Sequence, residues 1–120
     1  MLRRLNDENI DRFFQAILTL ETVEECYDFF EDICTVDEVR EIARRLCAAR
    51  LLREGTLYSE ITGRTGLSTA TISRVNRSMK YGNGGYDMVF DRMKAAEAAA
   101  DAAADAAEDP ASSADNGDGK

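Results

Sequence analysis

The 120-residue chain contains no histidine, and its three cysteines form no CxxC pair. Cys26, Cys34 and Cys47 therefore cannot supply the sulfur and nitrogen ligands of a typical zinc site, which needs four. Without histidine, and with no nucleophile placed beside a base, the chain also lacks the residues that usually carry out acid–base and nucleophilic catalysis. We predict no metal site and no enzymatic activity. The cysteines fall in apolar helical patterns, so we expect them to be small buried hydrophobes.

Long hydrophobic runs are absent as well. No stretch approaches the ~18 apolar residues of a membrane-spanning helix, and the two N-terminal arginines are not followed by the apolar segment of a signal peptide. There is one proline, 44% of residues are hydrophobic, and no period-two alternation persists. These features favour an all-α protein. We expect a cytoplasmic location and no membrane partner.

The net charge of -8 is unevenly distributed along the chain. Residues 1–39 hold 3 basic and 11 acidic residues, residues 40–80 hold 9 and 3, and residues 95–120 hold 1 and 7. Basic charge is therefore concentrated in the middle of an acidic chain. The local field, more than the net charge, decides where a phosphate binds. An alternative for some of these arginines, such as Arg40, Arg44 and Arg50, is a solvated helix face.

A helix-turn-helix is predicted in this basic region, at about residues 58–79. Gly66 stands at the turn, where a positive φ is favoured, and Leu67 fills the corner. Ser68 is placed to cap the second helix. The positions expected to face inward are Ile61, Thr65, Ile72 and Val75. The second helix of such a motif enters the DNA major groove.

Short hydroxyl residues, one alanine and basic residues are left on the outer face. Such side chains suit base edges and phosphates. The candidate DNA-binding residues are Arg64, Ser68, Thr69, Ala70, Thr71, Ser73, Arg74, Arg77 and Lys80. An ordinary helical hairpin that serves as a protein–protein interaction module, without DNA binding, is the alternative.

The remaining pattern predicts further helices over residues 7–20, from residue 22, over about 36–53, and from Tyr86 or Asp87. The predicted end signals are N-caps at Asn6 or Asp7, Thr22, Thr35 and Thr56, capping boxes from Thr22 to Glu25 and from Thr35 to Glu38, and a C-cap at Gly55. The first two helices carry more apolar residues than so small a chain buries by itself, which indicates a partner surface. A thick monomeric core is the alternative.

The predicted domain comprises residues 1–94, and an acidic Ala/Asp-rich tail comprises residues 95–120. Alanine favours helix in the first part of the tail, while the composition from Pro110 onward is typical of disorder. The tail is either an inert solubilising segment or a competitor of DNA for the basic face.

From Thr35 through Val89 the chain resembles the Trp repressor superfamily, and most closely its YerC/YecD-like branch. The resemblance is carried by residues 35–46, 51–55, 58–61, 65–78 and 81–86. It implies an intertwined all-helical homodimer that regulates transcription, usually by repression. Two recognition helices would reach successive major grooves, about 34–36 Å apart; this geometry belongs to the helix-turn-helix class, Trp repressor itself included.

The resemblance also implies a possible effector pocket. Arg45 and Arg74 match two arginines that sandwich the indole ring in Trp repressor, and Thr35 and Ser78 fall at polar positions of that pocket. Val75, however, stands where Trp repressor has glycine, and its isopropyl group can fill the space of the ring. We therefore predict no cofactor and do not favour an amino-acid corepressor such as tryptophan.

Overall fold

The computed structural model describes residues 1–107, and every regular element in them is helical. A short 3-10 helix at Leu2–Leu5 is followed by six α-helices. In chain order, α1 to α6 comprise Glu8–Ile17, Val23–Ile33, Val36–Arg53, Tyr58–Thr65, Thr69–Tyr81 and Gly85–Ala107. The all-α prediction is confirmed. The predicted disorder from Pro110 lies outside the described residues.

Side-chain caps start the first three α-helices, as the sequence predicts. An oxygen of Asp7 accepts the N–H of Asn9 at 2.8 Å, and Thr22 caps α2. At α3 the capping box is complete: Glu38 N–H donates to Thr35 Oγ1 at 3.1 Å, and Thr35 N–H donates to Glu38 Oε1 at 2.7 Å. These bonds satisfy N–H groups that have no partner inside the helix.

The first helix is shorter than predicted. It ends at Ile17 rather than at residue 20, because the following residues form tighter turns. Thr19 N–H and Leu20 N–H donate to carbonyls three residues earlier, and the Thr19 hydroxyl also donates to the Ala16 carbonyl, at 2.6 Å. Leu18 is consequently left 82% exposed.

The prediction that Thr56 caps α4 is wrong. Gly55, with φ +84°, donates its N–H to the Leu52 carbonyl at 3.0 Å, and Thr56 N–H donates to the Leu51 carbonyl at 2.9 Å. This pair of bonds is a Schellman motif, which commits Thr56 to the end of α3. Leu57 is the N-cap of α4, because its carbonyl accepts the first bond of the helix, from the Ile61 N–H at 3.0 Å, and it has no side-chain capping bond.

Two compact units divide the chain, one from Met1 to Ala43 and one that begins at Arg44. No side chain of the first unit is buried, although Phe13 packs against the rings of Phe29 and Phe30. Ile42, an apolar residue of α3, is 57% exposed. Cys26 is exposed rather than buried, while Cys34 and Cys47 are half-buried.

The core of the second unit lies where the end of α3 meets α4 and α5. It consists of fully or almost fully buried residues, namely Ala48, Leu51, Ile61, Leu67 and Ile72. The start of α6 is attached by Arg53, whose guanidinium bonds Asp87 and Asp91 and lies 5.8 Å from the ring centroid of Phe90. The hydrogen bond to Asp91 is the main reason that the pKa of Arg53 is raised. The two helices of the helix-turn-helix are therefore packed against a buried core. The predicted domain boundary at residue 94 stays a prediction.

Candidate nucleic-acid interface

The turn between α4 and α5 has the predicted geometry. Gly66 has φ +75°, and its N–H donates to the Thr62 carbonyl at 2.8 Å. The buried Thr65 hydroxyl donates to the Ile61 carbonyl at 2.7 Å and accepts the Leu67 N–H at 3.2 Å. Thr65 thus satisfies two backbone groups where the chain changes direction. Leu67 is 5% exposed, which confirms its place in the corner.

The start of α5 is capped by Ser68. Its Oγ accepts the Thr71 N–H at 3.1 Å and also lies 3.1 Å from Thr71 Oγ1, to which it donates. Thr71, which the sequence places on the outer face, is half-buried rather than exposed. The physical reason is the bond to Ser68, which draws the two hydroxyls together. Both side chains are engaged in starting the helix.

The inner face of α5 fixes the helix on the core. Ile72 is fully buried and Val75 is 3% exposed, as predicted. One further link was not predicted from the sequence. The Asn76 amide donates to the Tyr58 hydroxyl at 3.1 Å and joins α5 to α4. No sequence pattern distinguishes this asparagine from a surface residue. Buried and bonded in this way, α5 presents its opposite face in a defined orientation.

That opposite face is exposed and basic. Along α5 the candidate residues with exposed side chains are Thr69, Ala70, Ser73, Arg74, Arg77 and Lys80. Arg74 and Arg77 follow Ala70 at helical spacings of four and seven residues, which places the three on one stripe. Within residues 1–107, neither arginine nor Lys80 has a carboxylate partner.

The other basic residues of the second unit are more often paired. Arg50 lies 3.2 Å from Glu54, and Arg64 lies 3.7 Å from Glu60, both as exposed i,i+4 pairs. Arg53 holds the start of α6. Exposed pairs of this kind are weak, so Arg64 remains able to exchange Glu60 for a phosphate. Arg44, Arg92 and Lys94 of this unit also lack a carboxylate partner within residues 1–107, but α5 holds three such residues, more than any other described helix.

The residues of the predicted effector pocket differ in their surroundings. Thr35 belongs to the capping box of α3, whereas Arg45, Arg74 and Ser78 are exposed side chains of the second unit. The isopropyl group of Val75 is buried rather than directed at solvent. The existence of a pocket stays a prediction.

Other kinds of site find no support in the described residues. Residues 1–107 contain no group of three or more cysteine, aspartate or glutamate side chains arranged to hold a metal ion. None of the helices in this part of the chain is both long and apolar enough to cross a membrane.

Comparisons with known proteins agree with this geometry. The family model described as Trp repressor protein matches residues 8–94. The uncharacterized protein YerC of Bacillus subtilis is 50% identical over 94 residues, which are 78% of this chain and 90% of that protein. The crystal structure of a TrpR-like protein from Eubacterium eligens superimposes with a TM-score of 0.74 at 50% identity, over 77% of this chain and 95% of that one. The resemblance inferred from the sequence is confirmed.

Proposed function

The chain belongs to the Trp repressor family, and from this premise we propose that it is a sequence-specific DNA-binding transcriptional regulator, a repressor that binds the major groove as a homodimer. The observation that carries the proposal is the exposed basic face of α5, on which Arg74, Arg77 and Lys80 lack carboxylate partners within residues 1–107. Its place of action is the cytoplasm.

Different residues of α5 serve different contacts in this proposal. Thr69, Ala70 and Ser73 lie in its first half, which in this class of motif reaches the base edges. Hydroxyls can donate or accept there, and the methyl group of alanine can contact a thymine methyl. Arg77 and Lys80 lie further along and contact phosphates. Ser68 and Thr71 contribute mainly by holding the start of the helix.

Arg77→Ala tests the phosphate role. The substitution should weaken binding to a selected genomic fragment and to a random-sequence duplex by the same factor. It should also lower the salt slope by about one unit, because one fewer counterion is released. Fluorescence anisotropy titrations at several salt concentrations measure both quantities. Arg92→Ala, an exposed arginine of α6, is the matched control and should change neither.

A loss confined to the selected fragment would contradict the phosphate role and indicate a base contact. If the wild-type protein binds neither DNA at low salt, the regulator proposal fails, and a protein–protein interaction module becomes the better explanation.

The homodimer is proposed from the first unit. Large apolar side chains there are exposed, including Leu18 at 82%, Val23 at 70% and Tyr27 at 62%. Leaving them in water forgoes about 25 cal/mol per Å² of apolar burial, and a second copy of the chain would cover them. Two copies would also supply the two recognition helices that a two-fold operator requires.

Leu18→Asp tests the dimer by sedimentation equilibrium. On an isolated chain this exposed position tolerates a charge, whereas in an apolar interface it does not, so we expect dissociation with retained helicity. Leu57→Asp, at a position 73% exposed in the second unit, is the control. A wild-type monomer would contradict the proposal, as would equal behaviour of the two variants.

We further propose that the protein does not use tryptophan as corepressor, because Val75 occupies the position of a glycine in Trp repressor. Isothermal titration should detect no micromolar binding of tryptophan. Tryptophan binding at micromolar affinity, or a DNA affinity that rises with tryptophan, would overturn this statement.

A further inference from the structure

Tyr81 extends the exposed stripe of α5. It follows Arg77 by four residues, Arg74 by seven and Ala70 by eleven, all spacings that return to the same helical face. Its side chain is 81% exposed, against 62% for Tyr27. Among residues 1–107, the Tyr81 ring stacks on no other ring and its hydroxyl makes no hydrogen bond. Neither ring stacking nor hydrogen bonding within the described residues accounts for a large aromatic residue here.

The backbone holds Tyr81 at a fixed position. Gly82 follows it as the C-cap: its N–H donates to the Ser78 carbonyl at 2.9 Å, and its extended backbone, with ψ −151°, ends the helix. A Cβ atom at residue 82 would collide with that same carbonyl oxygen. Glycine is therefore required at residue 82, where the backbone passes close to the Ser78 carbonyl as it leaves α5. Because α5 ends here, Tyr81 is the last residue of the stripe.

The distance along α5 indicates what Tyr81 can reach. Eleven residues of helix span about 16 Å, whereas the major groove is about 12 Å wide. When α5 enters the groove by its N-terminal end, so that Ala70 lies at the base edges, Tyr81 lies past the groove, beside the sugar–phosphate backbone. A phenol hydroxyl is a suitable donor to a phosphate oxygen, and the ring offers an apolar face to deoxyribose.

We propose that Tyr81 is a DNA-backbone contact that strengthens binding without reading sequence; this rests on the proposed function. The contact differs from that of an arginine in one measurable way. Tyrosine is neutral, so it releases no counterion and adds nothing to the salt slope. Its hydroxyl adds affinity that persists at higher salt. The stripe thus combines charged contacts at Arg74 and Arg77 with a neutral contact at its end.

Tyr81→Phe and Tyr81→Ala test the proposal in anisotropy titrations with a selected genomic fragment and a random-sequence duplex. Removal of the hydroxyl alone should weaken binding to both DNAs by about three- to tenfold, the effect of one lost hydrogen bond. Tyr81→Ala should weaken it further, because the ring is also lost. The slope of log affinity against log salt should equal that of the wild type in both variants.

The controls separate the possible failures. Arg92→Ala, at the exposed arginine of α6, is again the control and should not change DNA affinity. Unchanged affinity of Tyr81→Phe would overturn the proposal, as would a slope lower by one unit or a loss confined to the selected fragment. A wild-type protein that binds neither DNA would instead overturn the proposed function. Because Tyr81→Phe preserves the ring, it decides the outcome even if Tyr81→Ala lowers the melting temperature.

Discussion

Two glycine-to-alanine substitutions in the helix-turn-helix should change stability in opposite directions. Gly63 lies inside α4 with a helical φ, and Gly66 lies at the turn with φ +75°. A Cβ atom at either residue would meet no other atom within 4 Å. The two substitutions therefore add the same methyl group without a steric clash, and only the backbone conformation distinguishes them.

The expected magnitudes follow from that conformation. At residue 63, alanine should stabilise the protein by about 0.5–1 kcal/mol, the usual advantage over glycine within a helix. At residue 66, an L-residue in the left-handed region costs about 1–2 kcal/mol. The lower entropy of the unfolded chain offsets about 0.4–1 kcal/mol of that. Gly66→Ala should therefore destabilise by about 1 kcal/mol, and Gly66→Asn by less, because asparagine adopts this region more readily.

Urea unfolding followed by circular dichroism, at one fixed protein concentration, measures both changes. A fixed concentration is needed because association of the folded chain adds to its apparent stability. The wild-type curve should lie between those of the two variants, with similar slopes. The reasoning is refuted if Gly66→Ala is as stable as the wild type, or if both substitutions shift stability in the same direction.

Three further predictions concern the helix ends and their links. Leu57→Ser should stabilise by about 1 kcal/mol, since it supplies the side-chain cap that α4 lacks; a higher melting temperature is the check. Tyr58→Phe should destabilise by about 1 kcal/mol, because it leaves the Asn76 amide without its 3.1 Å partner; an unchanged urea midpoint would disprove this. Hydrogen bonds from the Thr35 backbone, and secondly from its side chain, lower the pKa of Glu38 from its usual 4.5. The stabilisation that the Glu38 carboxylate contributes is therefore present above pH 4.5 and is lost as the pH falls through the lowered pKa. Glu38→Gln should therefore be less stable than the wild type at pH 7 and should approach it as the pH falls through the lowered pKa; a difference that stays constant during acid titration would count against the capping box.

The helix-turn-helix was predictable because its signals are local. Gly66 is needed for a positive φ, Ser68 caps the next helix, and Ile72 with Val75 follows the helical period. Each of these features depends on residues only a few positions apart. The capping box between Thr35 and Glu38 was predictable for the same reason. Likewise, the basic stripe follows once the buried face of α5 is known.

The features that were missed depend on competition or on distant residues. Thr56 has a capping side chain, but it belongs to the Schellman motif that ends α3, and α4 begins one residue too late for it, with Leu57 as the N-cap. Arg53 meets Asp87 and Asp91 across more than thirty positions, which no local pattern encodes. Ile42 follows the apolar period of α3 and is nevertheless exposed, because periodicity identifies an apolar face without identifying what covers it.

Selection of bound fragments from a genomic library, followed by footprinting of the enriched DNA, tests the proposed regulator most directly. A dimer with two α5 helices predicts a pseudo-palindromic site with two protected segments about 34–36 Å apart, centre to centre. Arg77→Ala should weaken protection of both segments alike. The absence of any enriched fragment at low salt, or protection of a single segment without symmetry, would contradict a dimeric DNA-binding function.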